Sequence, residues 1–343
     1  MIFDKYFFLQ DQDVFKTYFN EQWDMYLDKI GFKHKQSAIL NIGSRYRPKM
    51  AFWGYSYCKS DISSNEFSKL INVCISIELL HKSTLLLDDL IDNDDLRYGK
   101  SAFHKEYNPS ETIAYSFHLV GKAYELINDT LINMDIDKNL YGQILRTYSF
   151  NVKNMTKGLL YELTDDYYKD VHKTLDIMRL ETSEFVKNSL LIGYYLSGGT
   201  NAEVLKLLSE LGLSMGNLYQ TLNDLEPFYN PDFILSNKGN VNLDVNKYKK
   251  NIFTAKVLEN FKIENFDSFF VNNKNNINNL LSLAKQENIY SFFKEDIKEQ
   301  NNYIVDLIHH VSQYSLNSEW QLYFEKFYCN LFNWAIRRVG FKY

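Results

Sequence analysis

Asp88, Asp89 and Asp92 place three carboxylates within one short stretch, at the end of the apolar segment Ile75 to Leu87. Asp88 and Asp92 are four apart and Asp89 and Asp92 three apart, so on a helix all three share one face. Like charges so placed repel one another and cost stability until a cation neutralises them. Oxygen-only ligands suit a hard cation, and Mg2+ binds through one or two carboxylates plus the phosphates of a substrate. Taken alone, the run reads equally well as an acidic helix end facing solvent. A second polar face carries Gln220, Asn223 and Asp224, after the apolar helical run Val204 to Leu218. That face is expected to point inward, where polar groups need partners. Two helices presenting carboxylates to each other across a bundle build metal sites in α proteins.

The elements that must hold these groups are helical. The chain has 343 residues, 45% of them hydrophobic and 16% aromatic, with only four prolines, Pro48, Pro109, Pro227 and Pro231. Few helix breakers and long apolar spacing of helical period predict an all-α fold, one large bundle of about ten to twelve helices spanning residues 1–343. Residues 1–36 read as an N-terminal helical extension. Helical spacing then covers roughly 66–96, 110–134, 138–163, 171–197, 202–226, 243–261, 264–284, 287–314 and 317–338. Breaks fall at Asn108-Pro109, at Gly198-Gly199 and between Pro227 and Gly239, with no linker and no internal repeat. The Asn/Lys-rich stretch 271–279 reads as a solvated face.

Net charge is −5 and no Lys/Arg-rich run occurs, which argues against a nucleic-acid partner. Cys58, Cys74 and Cys329 form no CxxC or Cys/His cluster and read as reduced thiols. The start MIFDKYFFLQDQD lacks the basic end and apolar core of a signal peptide. No window reads as apolar enough to span a bilayer, so the expected location is cytoplasmic, in line with a mean hydropathy of −0.36.

From Gly43 to Lys256 the chain resembles the trans-isoprenyl diphosphate synthase (polyprenyl synthetase) family. LLLDDLIDNDDLRYGKSAFH, residues 85–104, matches that family's first aspartate-rich motif, approached through Glu78 and His81. GNLYQTLNDLEP matches the second, Gly43-Ser44-Arg45-Tyr46-Arg47-Pro48 the N-terminal basic motif, and Asp244 to Lys249, weakly, a later lysine motif. The resemblance implies a helical bundle around a central cavity, a homodimer, and three Mg2+ ions bound with the diphosphate of an allylic prenyl substrate. It implies that Asp88 and Asp92 are metal ligands with Asp89 supporting, and that Arg97, Lys249, Gln220 and Thr182 serve the allylic diphosphate site. Arg47 and His81, with Arg45 nearby, would hold isopentenyl diphosphate. Arginine suits phosphate because its planar fork donates two hydrogen bonds at once.

The chain departs from the family pattern in a consistent direction. Ser44 stands where the family has lysine, Tyr98 where it has a second arginine, and Glu181 where it has the lysine of a Lys-Thr pair. Each lost cation removes a charge-assisted contact of roughly 1.5–3 kcal/mol, so two together weaken a diphosphate site by on the order of a hundredfold or more. In the second motif Asn223 and Asp224 fill the first two positions and Pro227 the last. Pro227 is expected to disfavour helix at Glu226, freeing Glu226 as a substitute metal ligand. Ser83 and Thr84, small residues before Asp88, predict a deep pocket for a long prenyl tail. The expected activity is prenyl transfer from an allylic diphosphate to isopentenyl diphosphate or to another small-molecule or peptide acceptor. A class I terpene synthase and a non-catalytic subunit of a heteromeric synthase are the alternatives; Pro227 and Pro231 fail the NSE-type motif of the first.

Overall fold

The apolar run bearing the three aspartates is the longest helix among the described residues, Ser64–Asp92. Its start is a capping box: the Ser63 hydroxyl accepts from the Glu66 amide at 3.2 Å, and the Glu66 carboxylate accepts from the Ser63 amide at 3.0 Å. Its end is Asn93, in left-handed backbone with φ 52°, a conformation Asn tolerates better than most residues. Apolar residues on all sides mark it as a core helix. One window of it is long and apolar enough to cross a bilayer, contrary to the sequence expectation, and 72% of that window is buried inside the protein.

The computed structural model describes residues 12–34, 37–134, 136–164, 170–238, 251–260, 276–286 and 288–341. The described elements, in chain order, are α1 (Gln12–Lys29), α2 (Ala38–Asn41), α3 (Tyr46–Ser56), α4 (Ser64–Asp92), a hairpin of β1 (Leu96–Arg97) and β2 (Lys100–Ser101), α5 (Phe103–Glu106), α6 (Pro109–Asn133) and α7 (Lys138–Thr164). There follow α8 (Val171–Met178), a π-helical turn (Arg179–Ser183), α9 (Glu184–Leu196), α10 (Ala202–Tyr229), α11 (Pro231–Lys238), α12 (Ile252–Asn260), α13 (Asn276–Gln286), α14 (Ile289–Ser312) and α15 (Trp320–Val339). Thirteen of these helices have eight residues or more. The excess over the expected ten to twelve has two sources: α8 and α9 read as one run in sequence but are divided by the π turn, and α11 forms where a break was expected between Pro227 and Gly239.

Two sequence expectations change here. Helical spacing ran on to about Leu96, but the helix stops at Asp92, and Leu96–Arg97 pairs antiparallel with Lys100–Ser101. Pro227 does not end its helix, because α10 continues through it to Tyr229. So near the C-terminus the missing amide removes one of the last intrahelical bonds rather than an interior run.

Helix α3, which carries the basic motif in its first turn, is pressed onto α9. A Cβ on Gly54 would overlap the carbonyl oxygen of Leu190, and one on Gly193 would overlap that of Ala51. The two backbones therefore touch through paired glycines. Farther on, α15 locks the other end of α3: Trp320 Nε1 donates to the Trp53 carbonyl at 2.9 Å, and Asn317 Nδ2 to the Ser56 carbonyl at 3.0 Å.

Candidate functional site

The last two turns of α4, the start of α3 and the β1–β2 hairpin meet at one end of the bundle. Asp89 is fully buried, while the Asp88 side chain is 47% exposed. Arg97 comes off β1 and donates to Asp88 at 3.1 Å, and to Asp89 as a close ion pair. Burial pushes the Asp89 carboxyl up to about 6 even though Arg97 pulls the other way. Asp92 is buried one turn on. The three aspartates thus differ in role: Asp89 turns inward to Arg97, and Asp88 meets solvent. Among the described residues no three His, Cys, Asp or Glu side chains converge to enclose a cation. Hard oxygen ligands of this kind supply Mg2+ with one or two contacts and leave the remainder to a substrate's phosphates.

Two turns back on α4, Arg47 Nη1 lies 3.0 Å from His81 Nε2. A guanidinium can only donate, so His81 accepts on Nε2 and carries its proton on Nδ1. Burial first, then the charges of Arg47, Lys82, Arg97 and Arg45, holds His81 well below its ordinary pKa and keeps it neutral. Arg47 Nε and His81 Nδ1 are buried and have no hydrogen-bond acceptor. The Arg47 guanidinium also sits 5.0 Å over the Phe185 ring. The pair expected to bind an anion is therefore brought together with unused donors.

Arg45 is different. It is buried, and its guanidinium donates to Glu78 Oε1 at 2.6 Å, to the Leu40 carbonyl at 3.1 Å and to Asn20 at 3.0 Å, between the rings of Phe19 and Trp23. Every face of it is occupied by protein, which corrects its assignment as a substrate contact. Arg45, Asn93 and Tyr98, three of the four positive-φ non-glycine residues among those described, all flank this region. Such backbone is held only where surrounding contacts over-determine it.

On α10 and the π turn, Thr182 donates to Gln220 at 2.9 Å and Gln220 donates to Asp224 at 2.8 Å. A π turn is a common device for aiming a side chain at a functional site. The second Asp224 oxygen accepts from the Ile252 amide at 3.0 Å, and Asn251 donates to the Asp224 carbonyl at 2.9 Å. Asp224 is thereby bound at both oxygens, to Gln220 and to the start of α12, while Asn223 is only partly buried. Glu226, expected as a substitute metal ligand, is buried against α15 instead. Arg338 grips it with Nη2 at 2.8 Å and Nε at 2.7 Å. The helix did not break at Pro227, so nothing swings Glu226 toward the aspartates. Removing one member of such a buried pair strands the other, so Arg338→Ala should destabilise the protein by about 3–5 kcal/mol in chemical denaturation. Glu226→Gln should bind Mg2+ no more weakly than the unaltered protein in titration calorimetry; a tenfold loss of affinity would restore Glu226 as a ligand.

Ser83 packs toward α6, its hydroxyl donating to Leu80 and its carbonyl accepting from Ser116 at 2.9 Å. Thr84 bonds back to the His81 carbonyl at 2.8 Å. A cavity of about 340 Å³ lies elsewhere, between α8, α10, α12 and α14, lined by Val171, Leu175, Asn217, Thr221, Phe293 and Tyr303 among others. Neither Ser83 nor Thr84 lines it, because their positions on the helix turn them to α6 and to their own backbone. Lys249 lies outside the described residues. Sequence reading passed over Lys82, Tyr219 and Arg338. Tyr219 packs with its ring centre 5.5 Å from that of Tyr46, tilted by 36°, and had no local signal, whereas Lys82 had one, as a lysine inside an apolar run.

The polyprenyl synthetase family model matches residues 33–283. The chain is 26% identical over 226 residues to a short chain isoprenyl diphosphate synthase of Methanocaldococcus jannaschii, covering 66% of this chain and 64% of that protein. It is 24% identical over 236 residues to a geranylgeranyl diphosphate synthase of Saccharolobus solfataricus, covering 67% and 68%. The chain thus spans about two thirds of the length of these relatives. A solved geranylgeranyl pyrophosphate synthase superposes with a TM-score of 0.76 at 21% identity, over 97% of this chain and 99% of that one. A Corynebacterium glutamicum geranylgeranyl pyrophosphate synthase complexed with isoprenyl diphosphate and magnesium superposes with a TM-score of 0.71 at 16% identity, over 94% and 96%. Both share the fold.

Proposed function

The chain belongs to the polyprenyl synthetase family, and on that premise we propose that it is a Mg2+-dependent prenyltransferase that ionises an allylic prenyl diphosphate and passes the prenyl group to an acceptor. One observation carries the reading. His81 and Asp88 are seven residues apart on α4, about 10 Å along its axis, so a carboxylate end and a cationic end stand side by side with room for one head group each.

Asp88 and Asp92 would hold Mg2+, which when bound acts as a Lewis acid on the departing diphosphate. Arg97 adds fixed positive charge beside the leaving group, and its buried partner Asp89 keeps it aimed there without reorganisation. Thr182 and Gln220 form a polar relay to Asp224 that orders the facing helix. Arg47 and neutral His81 offer donors to the second substrate's head group. Neutral His81 also adds no further positive charge beside Arg47.

Incubation with geranyl, farnesyl and geranylgeranyl diphosphates tests this, with Mg2+ and with isopentenyl diphosphate, a neutral aromatic or a peptide as acceptor. Mg2+-dependent pyrophosphate release from at least one donor is expected. Release from none, with any acceptor, would overturn the proposal. Hydrocarbon or alcohol formed at full rate with no acceptor present would replace transfer by cyclisation or elimination.

A further inference from the structure

The cavity between α8, α10, α12 and α14 plays no part in prenyl transfer as read above. It encloses about 340 Å³, inside the roughly 300–1,000 Å³ of pockets that take up a whole small molecule. Its α10 wall carries Ser214, Asn217 and Thr221, three and four residues apart and so one stripe of that helix. The stripe lies roughly a quarter turn round α10 from Gln220. Thr221 is only 3% exposed. A threonine inside a helix commonly returns its hydroxyl to the carbonyl one turn back, as Thr112 and Thr130 do. Thr221 makes no hydrogen bond among the described residues. Nor does the Ser214 hydroxyl or the Asn217 amide nitrogen donate one; Asn217 is held by its oxygen, which accepts from Ser183 at 2.5 Å. Buried polar groups need partners, and here the space to supply one is the cavity itself.

The α14 wall has the opposite character. Gln300 Nε2 donates to Asp296 Oδ2 at 2.7 Å. The other Asp296 oxygen and the Gln300 amide oxygen accept nothing among the described residues. Lys256 also lines the cavity, but its ammonium is held by Glu259 at 2.8 Å and stands 4.7 Å over the Phe292 ring. Burial raises the Asp296 pKa and Glu299 adds to it, while Gln300 and Lys256 oppose. A half-buried carboxylate with no ion pair of its own favours a positively charged occupant. Phe293, Phe292 and Tyr303, three, four and seven residues from Asp296, share its stripe of α14. Aromatic rings beside a carboxylate suit an organic ammonium group. Leu175 and Ile252 supply aliphatic surface between the two walls.

We propose that this cavity binds a small organic amine, its ammonium on Asp296, its hydrocarbon body between Leu175, Ile252 and Phe293, and an oxygen at its other end on Thr221. The class follows from the walls: a carboxylate on one, hydroxyl and amide donors on the other, apolar surface between. The site is separate from prenyl transfer and does not depend on it.

Calorimetric titration of the intact protein with three probes tests this. Tyramine carries an ammonium and a phenol at opposite ends of one ring; tyrosol replaces the ammonium by a hydroxyl, and 4-hydroxyphenylacetate by a carboxylate. Tyramine should saturate the protein and bind at least about tenfold more tightly than tyrosol, the weight of one charge-assisted hydrogen bond. The carboxylate probe should bind most weakly. Asp296→Asn keeps the side chain's shape and removes its charge, and should bring tyramine to within about threefold of tyrosol. Leu175→Trp, at a position 38% exposed, puts an indole into the cavity and should abolish binding of all three. Thr221→Val should weaken tyramine several-fold with the melting temperature held or raised, and it serves in place of Asp296→Asn should that variant fail to fold. Equal binding of the three probes would overturn the proposal, as would full tyramine affinity in Asp296→Asn and Thr221→Val. So would the absence of saturation by about 10 mM tyramine, too weak for a buried ligand of roughly ten atoms; the cavity would then hold water only.

Discussion

Asp88→Ala combined with Asp92→Ala should cut pyrophosphate release from the preferred allylic diphosphate by about a thousandfold or more, the usual effect of removing groups that stabilise charge developing in a transition state. The fold should survive. Asp88 is half exposed, and Arg97 keeps Asp89 as its buried partner. Two like charges vanish from one helix face, which relieves repulsion rather than adding it. Turnover by stopped assay and melting temperature on the same preparation separate the outcomes. Low activity with an intact melting temperature assigns the two carboxylates to the chemistry. Activity within tenfold of wild type would remove them from it.

Gly54→Val and Gly193→Val should each cost more than about 4 kcal/mol, the range reached only by severe core disruption. Added side chains at these glycines run into carbonyl oxygens of the facing helix, Leu190 and Ala51 respectively. A backbone atom cannot rotate aside as a side chain can, so α3 and α9 must separate. The consequence reaches the site, because α3 begins at Tyr46 and carries Arg47 in its first turn. Whatever protein still folds should bind diphosphates weakly, with Arg47 moved off His81. Urea denaturation of the two variants measures the effect. Loss below 1 kcal/mol in either would mean that the helices can part cheaply and that the close approach does not hold the basic segment in place.

The helices were legible because their signals are local. The break read at Asn108-Pro109 is a helix start in the structure, with the Asn108 side chain capping it. The hairpin at Leu96–Arg97 was not legible, since two residues per strand carry no alternation to read. The run through Pro227 was misjudged for a related reason. A proline one turn from a helix end sacrifices little, and the packing of α10 decides the matter. The helix period says which residues share a face but not which neighbour that face meets; for Ser83 that neighbour is α6.

The sequence by itself determined that this protein is an α-helical member of its family, with aspartates, basic residues and a polar second face in a fixed order along the chain. Apolar period, caps and motif spacing are properties of neighbours in sequence, and they suffice for that. Only the tertiary structure decided which charge meets which: Asp89 with Arg97, Arg45 with Glu78, Asp224 with the start of α12, Glu226 with Arg338 across 112 residues. It also decided that Lys82 lies buried against Gly43. Pairing energies in a dry interior depend steeply on distance and on the company each group keeps. Those distances are set by how helices far apart in sequence pack, and so the chemistry of the site was written in the sequence as residue types but settled in space.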